Sequence, residues 1–323
     1  MTSYLVTGGG GFVGQWVAKV LIERGETPVL AGLGSLDGGA PVLTAEERGA
    51  VRWLRCDVRS HAEIDTMVDA ARPDVVIHLA GVAFPPQADS DPASTYDVNV
   101  LGAVRLLGAL AQRRQAGTLD PVVIVVGTSQ QYGAHDAGEM PLTESAEQRP
   151  LSAYAASKAA QEVAALQRFR ADGLRVVCTR SFNHSGRGQD GRYVLPSIVR
   201  RVRELQTRAG SSLSIGNDVI RDYLHVRDAA EAYLVLAERG TPGETYNVAS
   251  GAGVSVRRLA TDVLLRAGVH ADITTELTLV RSTDIPVLVG SSAKLTDATG
   301  WAPRLTYADI IDDLLRSAHA ATD

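Results

Sequence analysis

The chain has 323 residues, enough for one large domain or two that share a core, and far too many for a small stapled scaffold. Hydrophobic residues make up 45% and charged residues 21%, and the net charge of −5 excludes a broadly basic surface for nucleic acid. No run approaches the eighteen or so consecutive apolar residues of a membrane span, and the N-terminus has no signal-peptide layout, so a cytoplasmic protein with a small-molecule partner and no membrane contact is expected.

Taken in chain order, short β-branched runs alternate with alanine- and leucine-rich helical patterns. Strands are expected at 4–7, 28–31, 51–56, 74–80, 121–126 and 174–180, and helices at 12–24, 61–71, 93–114 and 153–170. That alternation is the mark of βαβ units, and six such strands imply an α/β fold built on a doubly wound parallel sheet. Beyond residue 180 the pattern is irregular, with helices near 194–205 and 227–238, and reads as a smaller lobe interleaved with the first. The expected division is a dinucleotide-binding domain over 1–180 plus about 217–248, and a second lobe over about 181–216 and 249–323. Gly32–Gly39 and the stretch 85–92 carry turn residues and are expected to be loops. Cys56 and Cys178 lie far apart in apolar strand-like segments, without zinc or disulfide spacing, and are expected to be buried thiols in a reducing compartment. No metal site is expected.

Val6-Thr7-Gly8-Gly9-Gly10-Gly11-Phe12-Val13-Gly14 joins the first strand to the first helix. Glycines there permit a tight turn and let backbone N–H groups at the helix start, around Gly8, Gly11, Phe12, Val13 and Gly14, face a pyrophosphate. A merely flexible turn is the plainer alternative. The second strand normally ends at an acid for the adenine ribose or near an arginine for a 2′-phosphate, and here Gly32-Leu33-Gly34-Ser35 carries neither, which leans the cofactor toward NADPH over NADH. Asp57 and Val58 follow the third strand, where the carboxylate either accepts from the adenine amino group or caps a helix. Small residues at Leu79-Ala80-Gly81 would let a cofactor pass close to the backbone.

The fifth apolar run delivers Gly127-Thr128-Ser129-Gln130-Gln131, hydroxyls and amides without a charge. Downstream, Tyr154 and Lys158 stand four apart on a helix, hence on one face. An ammonium beside a phenol favours the phenolate, making Tyr154 a proton exchanger near neutral pH, while Lys158 can also hold ribose hydroxyls. By itself the pair would equally suit an exposed helix face.

Taken together, Thr7-Gly8-x-x-Gly11-Phe12-x-Gly14, Asp57, Thr128 and Tyr154-x-x-x-Lys158 resemble the extended short-chain dehydrogenase/reductases that act on nucleotide sugars, over essentially the whole chain. The resemblance implies a Rossmann-type fold with NADPH or NADH. It implies catalytic roles for Thr128 at the sugar C4 oxygen, Tyr154 as proton donor and Lys158 on the ribose, with Asn99 supporting them from the preceding helix. It implies substrate contacts from Thr128, Ser129, Gln130, Asn183, Val194, Arg221, Arg281 and Asp284, and cofactor contacts that include Leu79 and Ala80. Arginine suits a diphosphate because its fork donates two hydrogen bonds at once, although Arg221 could instead pair on the surface with Asp222 or Asp228. Phe182-Asn183-His184, Thr245-Tyr246-Asn247-Val248 and Arg281-x-x-Asp284-x-Pro286 resemble GDP-4-keto-6-deoxymannose reductases and, more distantly, GDP-mannose 4,6-dehydratases. The departures are Arg187, where a proline is common, and Ser282 after Arg281.

Dehydration across C5 and C6 needs a base and an acid beside the threonine, and Ser129 and Gln130 supply neither; Glu139 and Glu144 are the nearby substitutes. Reduction needs only a hydride at C4 and a proton on its oxygen. The expected activity is therefore reduction of the C4 ketone of a nucleotide-linked 4-keto-6-deoxyhexose, GDP-linked, to a product such as GDP-rhamnose. An NAD-dependent 4-epimerase is the alternative, then a 4,6-dehydratase or a non-catalytic nucleotide sensor. A homodimer through a four-helix bundle of the 93–114 and 153–170 helices is also implied.

Overall fold

Six apolar runs form parallel strands, β1 (Tyr4–Thr7), β2 (Val29–Gly32), β3 (Arg52–Arg55), β4 (Val75–His78), β5 (Val122–Thr128) and β6 (Arg175–Ser181). The structure is a computed structural model and describes residues 2–37, 40–207, 212–279 and 284–317. Strands β7 (Asn183–Ser185), β8 (Ser212–Ile215) and β9 (Ile220–His225) follow, and then β10 (Thr245–Val248). β10 pairs in parallel with β6, so the main sheet has seven strands in the order β10-β6-β5-β4-β1-β2-β3. The sequence reading counted six; the seventh belongs to a distant segment and shows no local sign of its partner.

The helices are α1 (Phe12–Glu23), α2 (Ala45–Gly49), α3 (His61–Ala71), α4 (Pro85–Ser90), α5 (Pro92–Tyr96), α6 (Gly102–Gln115), α7 (Ala153–Asp172), α8 (Val194–Thr207), α9 (Val226–Arg239), α10 (Val256–Ala267), α11 (Ala293–Thr299) and α12 (Tyr307–Ser317). Side chains alternate across each strand, which sorts the core into two layers. Val6, Leu30, Ile77, Ile124 and Val177 pack against Trp16 and Leu21 of α1 and Tyr233 of α9. Leu5, Val76, Val123 and Val176 pack against Ile64 of α3, Leu106 and Leu110 of α6, and Ala165 of α7. Strand β3 closes the sheet edge, which is why Arg52 and Arg55 are tolerated there.

A third core lies under α8, α10 and α12, beside a smaller sheet ordered β11 (Gly253–Ser255), β9, β13 (Val287–Leu288), with β7 also on β9; β12 (Asp272–Thr275) pairs β8. Within 217–248, α9 and β10 therefore lie with the main sheet while β9 pairs in the smaller one.

Two local expectations change. Residues 85–92 are helical: prolines at the first turn cost no hydrogen bond, and the Asp91 carboxylate accepts from Ser94 N–H at 3.1 Å to start α5. The single helix expected over 93–114 is interrupted by a π-helical turn, Asp97–Leu101.

Candidate active site

Strands β1 to β6 of the main sheet point their carboxyl ends at one continuous cavity of about 2080 Å³. That exceeds the few hundred to about 1,000 Å³ of an ordinary ligand pocket, so it has room for two ligands. Helix α1 enters it with Gly11 as its N-cap and no capping side chain, leaving its first N–H groups to the cavity. Gly8 turns with φ +70°, and a Cβ there would stand 2.7 Å from Ala80 N; one on Gly14 would stand 2.6 Å from Gly8 O. The loop, the end of β4 and α1 thus approach as closely as glycine permits, a cradle that fits a dinucleotide pyrophosphate. Phe12, Val13, Leu79 and Ala80 line it too. Beneath it Thr7 Oγ1 lies 2.7 Å from His78 Nδ1 and accepts from Ala80 N–H at 3.3 Å, and complete burial pushes His78 down to about 3, so it is neutral. No sequence motif marked His78.

The adenosine end shows why Gly32 carries no acid. A Cβ on Gly32 would meet the Trp53 ring at 3.0 Å, and Trp53 Nε1 donates to Gly34 O at 3.1 Å, so the indole occupies that flank and anchors the loop. Asp57 and Val58 line the cavity, but the Asp57 carboxylate is held by Arg59, whose Nη2 donates at 2.7 Å and whose N–H donates at 2.9 Å. Asp57 is therefore not the cap of α3; Ser60 is, accepting from Glu63 N–H.

At the end of β5, Thr128 and Gln130 line the cavity. Ser129 does not: it begins the 3₁₀ turn Ser129–Tyr132 and is 1% exposed, away from the cavity wall where a substrate contact is expected. Thr128 and Tyr154 line the cavity together, and burial pushes the phenol upward against the smaller opposing influence of the Thr128 hydroxyl, which keeps it protonated. The expectation that Lys158 lowers the Tyr154 pKa is not met: the ammonium instead donates to Val126 O and to Gln161 Oε1, each at 2.7 Å, and burial dominates the phenol. Asn99, in the π turn, accepts from Val82 N–H at 2.7 Å and donates to Ser157 Oγ at 2.9 Å, and Ser157 donates to Tyr154 O. It is fully buried and braces the loop after β4 against α7.

Burial also pushes Lys158 down to about 8, from an ordinary 10.5. Between these values the unfolded chain holds a proton that the folded one releases, so this group's contribution to stability rises with pH. The wild-type protein is expected to gain up to about 3 kcal/mol on Lys158→Met between pH 8 and pH 10.5, read as the difference between their urea unfolding free energies.

The second lobe contributes Asn183, Val194, Arg221 and Asp284 to the same cavity. Arg221 forms no surface pair with its neighbours: Asp222 accepts from Ser250 and Gly251 N–H, and Asp228 from Arg304 and Leu305 N–H. The Arg221 guanidinium is half-buried, donates to Ile220 O, and is pushed down by that burial against the opposing field of Tyr223 and Asp284. The Asp284 carboxylate is held by Asn217 Nδ2 at 2.9 Å. Arg201, which no motif marked, lines the cavity nearby and donates to Ser214 O. Arg281 and Ser282 lie outside the described residues. Glu139 and Glu144 are turned away from the cavity, to His135 and to Asn247 N–H. Both cysteines are buried and unpaired, and no His, Cys, Asp and Glu cluster among the described residues could hold a metal.

Comparison with known proteins agrees with this geometry. A GDP-6-deoxy-D-mannose reductase of Pseudomonas aeruginosa is 37% identical over 245 residues, 75% of this chain and 79% of that protein. A UDP-glucose 4-epimerase of Streptococcus mutans is 29% identical over 98% of this chain and 95% of its own. The structure of RMD from Pseudomonas aeruginosa complexed with NADPH superposes with a TM-score of 0.83 at 30% identity, covering 99% of this chain and all of that one. Since the family model described as GDP-mannose 4,6 dehydratase matches residues 5–314, on a sheet and cavity of this kind, the chain belongs to that family of extended short-chain dehydrogenase/reductases.

Proposed function

We propose that the protein is an NAD(P)H-dependent oxidoreductase that reduces the C4 ketone of a nucleotide-linked 4-keto-6-deoxyhexose, GDP-4-keto-6-deoxy-D-mannose, to a GDP-6-deoxyhexose such as GDP-rhamnose. The observation that carries this is a protonated Tyr154 lining the cavity together with Thr128, where Gln130 supplies an amide in place of a carboxylate. The dinucleotide supplies the hydride to C4. Tyr154 gives its proton to the developing C4 alkoxide, and Thr128 orients that oxygen. Lys158 leaves Val126 and Gln161 to hold the ribose, and Asn99 keeps α7 in register. Gly8, Gly11, Phe12, Val13 and Gly14 hold the pyrophosphate, with Val58, Leu79 and Ala80 along the adenosine and nicotinamide path and Asp57 at the adenine. Asn183, Val194, Arg221 and Asp284 take the sugar nucleotide, with Arg221 on its diphosphate.

The same pair serves an epimerase, and the UDP-glucose 4-epimerase relative keeps that reading as the second one. Mixing the protein with GDP-4-keto-6-deoxymannose and NADPH should lower absorbance at 340 nm. No change, together with copurified NAD⁺ and interconversion of a sugar nucleotide without added cofactor, would establish the epimerase instead.

A dehydratase needs proton-exchanging groups beside Thr128, and here the hydroxyl of Ser129 is buried and Gln130 is an amide. Gln130→Glu is accordingly expected to leave ketone reduction within about twofold of wild type, since it adds a base where reduction uses none. A collapse in turnover with an unchanged melting temperature would assign Gln130 a role in substrate binding.

Helix α5, the π turn that leads into α6, and helix α7 leave Tyr96, Leu101 and Val163 exposed, which supports a homodimer through these helices. Light scattering reads it directly. No described helix is long and apolar enough to cross a membrane, and two buried, unpaired cysteines suit a cytoplasmic setting.

A further inference from the structure

We propose that Arg187 is a ligand of the dinucleotide pyrophosphate, completing from the second lobe a site whose other wall is the glycine loop. This rests on the NAD(P)H reading above. Arg187 stands in the turn Gly186-Arg187-Gly188, which is wedged between the two lobes. Its carbonyl accepts from Trp16 Nε1 of α1 at 3.0 Å, and its N–H donates to Asp313 Oδ2 of α12 at 2.6 Å. Gly188 has φ +87°, and a Cβ there would stand 2.5 Å from the Val42 Cγ2 methyl, a steric overlap, so the turn presses on the loop that follows β2. That loop in turn is tied to the glycine turn, through Ala40 N–H to Gly10 O at 3.1 Å and through Gln15, which accepts from Val42 and Leu43 N–H. The backbone of Arg187 is therefore fixed one helical turn along α1 from the capless N-terminus.

The side chain has no adequate partner. Its Nη2 makes one long bond of 3.4 Å to Val42 O, its buried Nε has none, and no carboxylate of a described residue pairs with it. Asp313 feels the Arg187 charge but forms no ion pair with it: its carboxylate accepts from the Arg187 backbone N–H and lies 3.6 Å from His225 Nε2. The other arginines of the cavity are engaged elsewhere: Arg59 pairs with Asp57 and Arg192 with Asp190, Arg201 and Arg221 lie toward Asn217 and Asp284 at the substrate end, and the exposed Arg316 donates to Asp312 O at 3.2 Å. A half-buried guanidinium without an anion is costly, and an anion in the cavity relieves that cost. Two diphosphates must share this cavity, and Arg187 lies on the wall next to the one that α1 serves. A guanidinium can donate to both phosphates of a pyrophosphate at once.

The test is titration of the full-length protein with NADPH and with NADH, followed by fluorescence, for wild type, Arg187→Met and Arg187→Lys. Met keeps the aliphatic stem and so the packing; Lys returns the charge without the fork. Arg187→Met should weaken NADPH and NADH alike, by roughly tenfold, Arg187→Lys should recover part of that loss for both, and the KM for the sugar nucleotide should stay within twofold. Loss confined to NADPH would place the guanidinium on the 2′-phosphate and overturn the assignment. So would unchanged binding of both cofactors, or a rise in the sugar-nucleotide KM alone. A wild type that binds neither cofactor would sink the NAD(P)H reading and the assignment with it, whereas a binding wild type with an unaffected variant sinks only the assignment.

Discussion

Tyr154→Phe is expected to lower turnover of the keto-sugar by on the order of 10² to 10⁴ while leaving NADPH affinity within about threefold. The phenol lines the cavity beside Thr128, and burial keeps its proton on it. Phenylalanine preserves the ring and the packing of α7 but leaves the C4 alkoxide without a donor. Thr128→Val should cost less, since it removes only the orientation of that oxygen and no proton. Stopped-flow measurement of NADPH oxidation, with binding measured separately, separates the chemical loss from a binding loss. A Tyr154→Phe variant with wild-type turnover would return the protein to the nucleotide-sensing alternative.

The second large effect concerns what holds the Thr128 turn in place. Glu162 of α7 and Arg180 of β6 form a buried bidentate pair, with Nη2 to Oε1 at 2.7 Å and Nε to Oε2 at 3.0 Å. Gln131 Nε2 donates to Glu162 at 2.9 Å, and its Oε1 accepts from Thr128 N–H at 2.8 Å. The Arg180 guanidinium also lies over the Tyr132 ring, 4.9 Å from its centre. Arg180→Met therefore strands a buried carboxylate and is expected to cost about 3–5 kcal/mol, read from the urea midpoint. Adding Glu162→Gln removes the stranded charge, so the double variant should be more stable than Arg180→Met alone, a non-additivity that an independent pair of sites would not show. Turnover should fall in the single variant even well below its unfolding transition, because Glu162, which anchors the amide that positions Thr128, loses the arginine that holds it.

How far the site was legible follows from the range of the interactions involved. The glycine loop was readable because its chemistry is local: Gly8 and Gly14 are dictated by a turn and a helix start within a few residues of each other. Tyr154 and Lys158 were readable as a pair because four residues bring side chains to one face of a helix. Their electrostatics were not, because whether an ammonium or burial governs a phenol depends on where the ammonium's hydrogen bonds go, and Val126 and Gln161 take them. That Gln130 and not Ser129 lines the cavity is illegible for a related reason: adjacent residues of a 3₁₀ turn point in different directions, and only the turn's geometry says which faces the cavity.

Alternating apolar runs and their spacing were enough to determine a doubly wound sheet with its phosphate loop at the first crossover and its proton donor beyond the fifth strand, because period and turn chemistry are written in neighbouring residues. Only the tertiary structure decided that Thr245–Val248 completes the sheet and that Trp53 fills the flank of Gly32. Only there, too, does the Glu162–Arg180 pair come to anchor Thr128 through Gln131, and the Arg187 carbonyl come to accept from Trp16 of α1. Each of these joins segments far apart in the chain, and such pairings are set by which surfaces are left to bury once the local elements have formed.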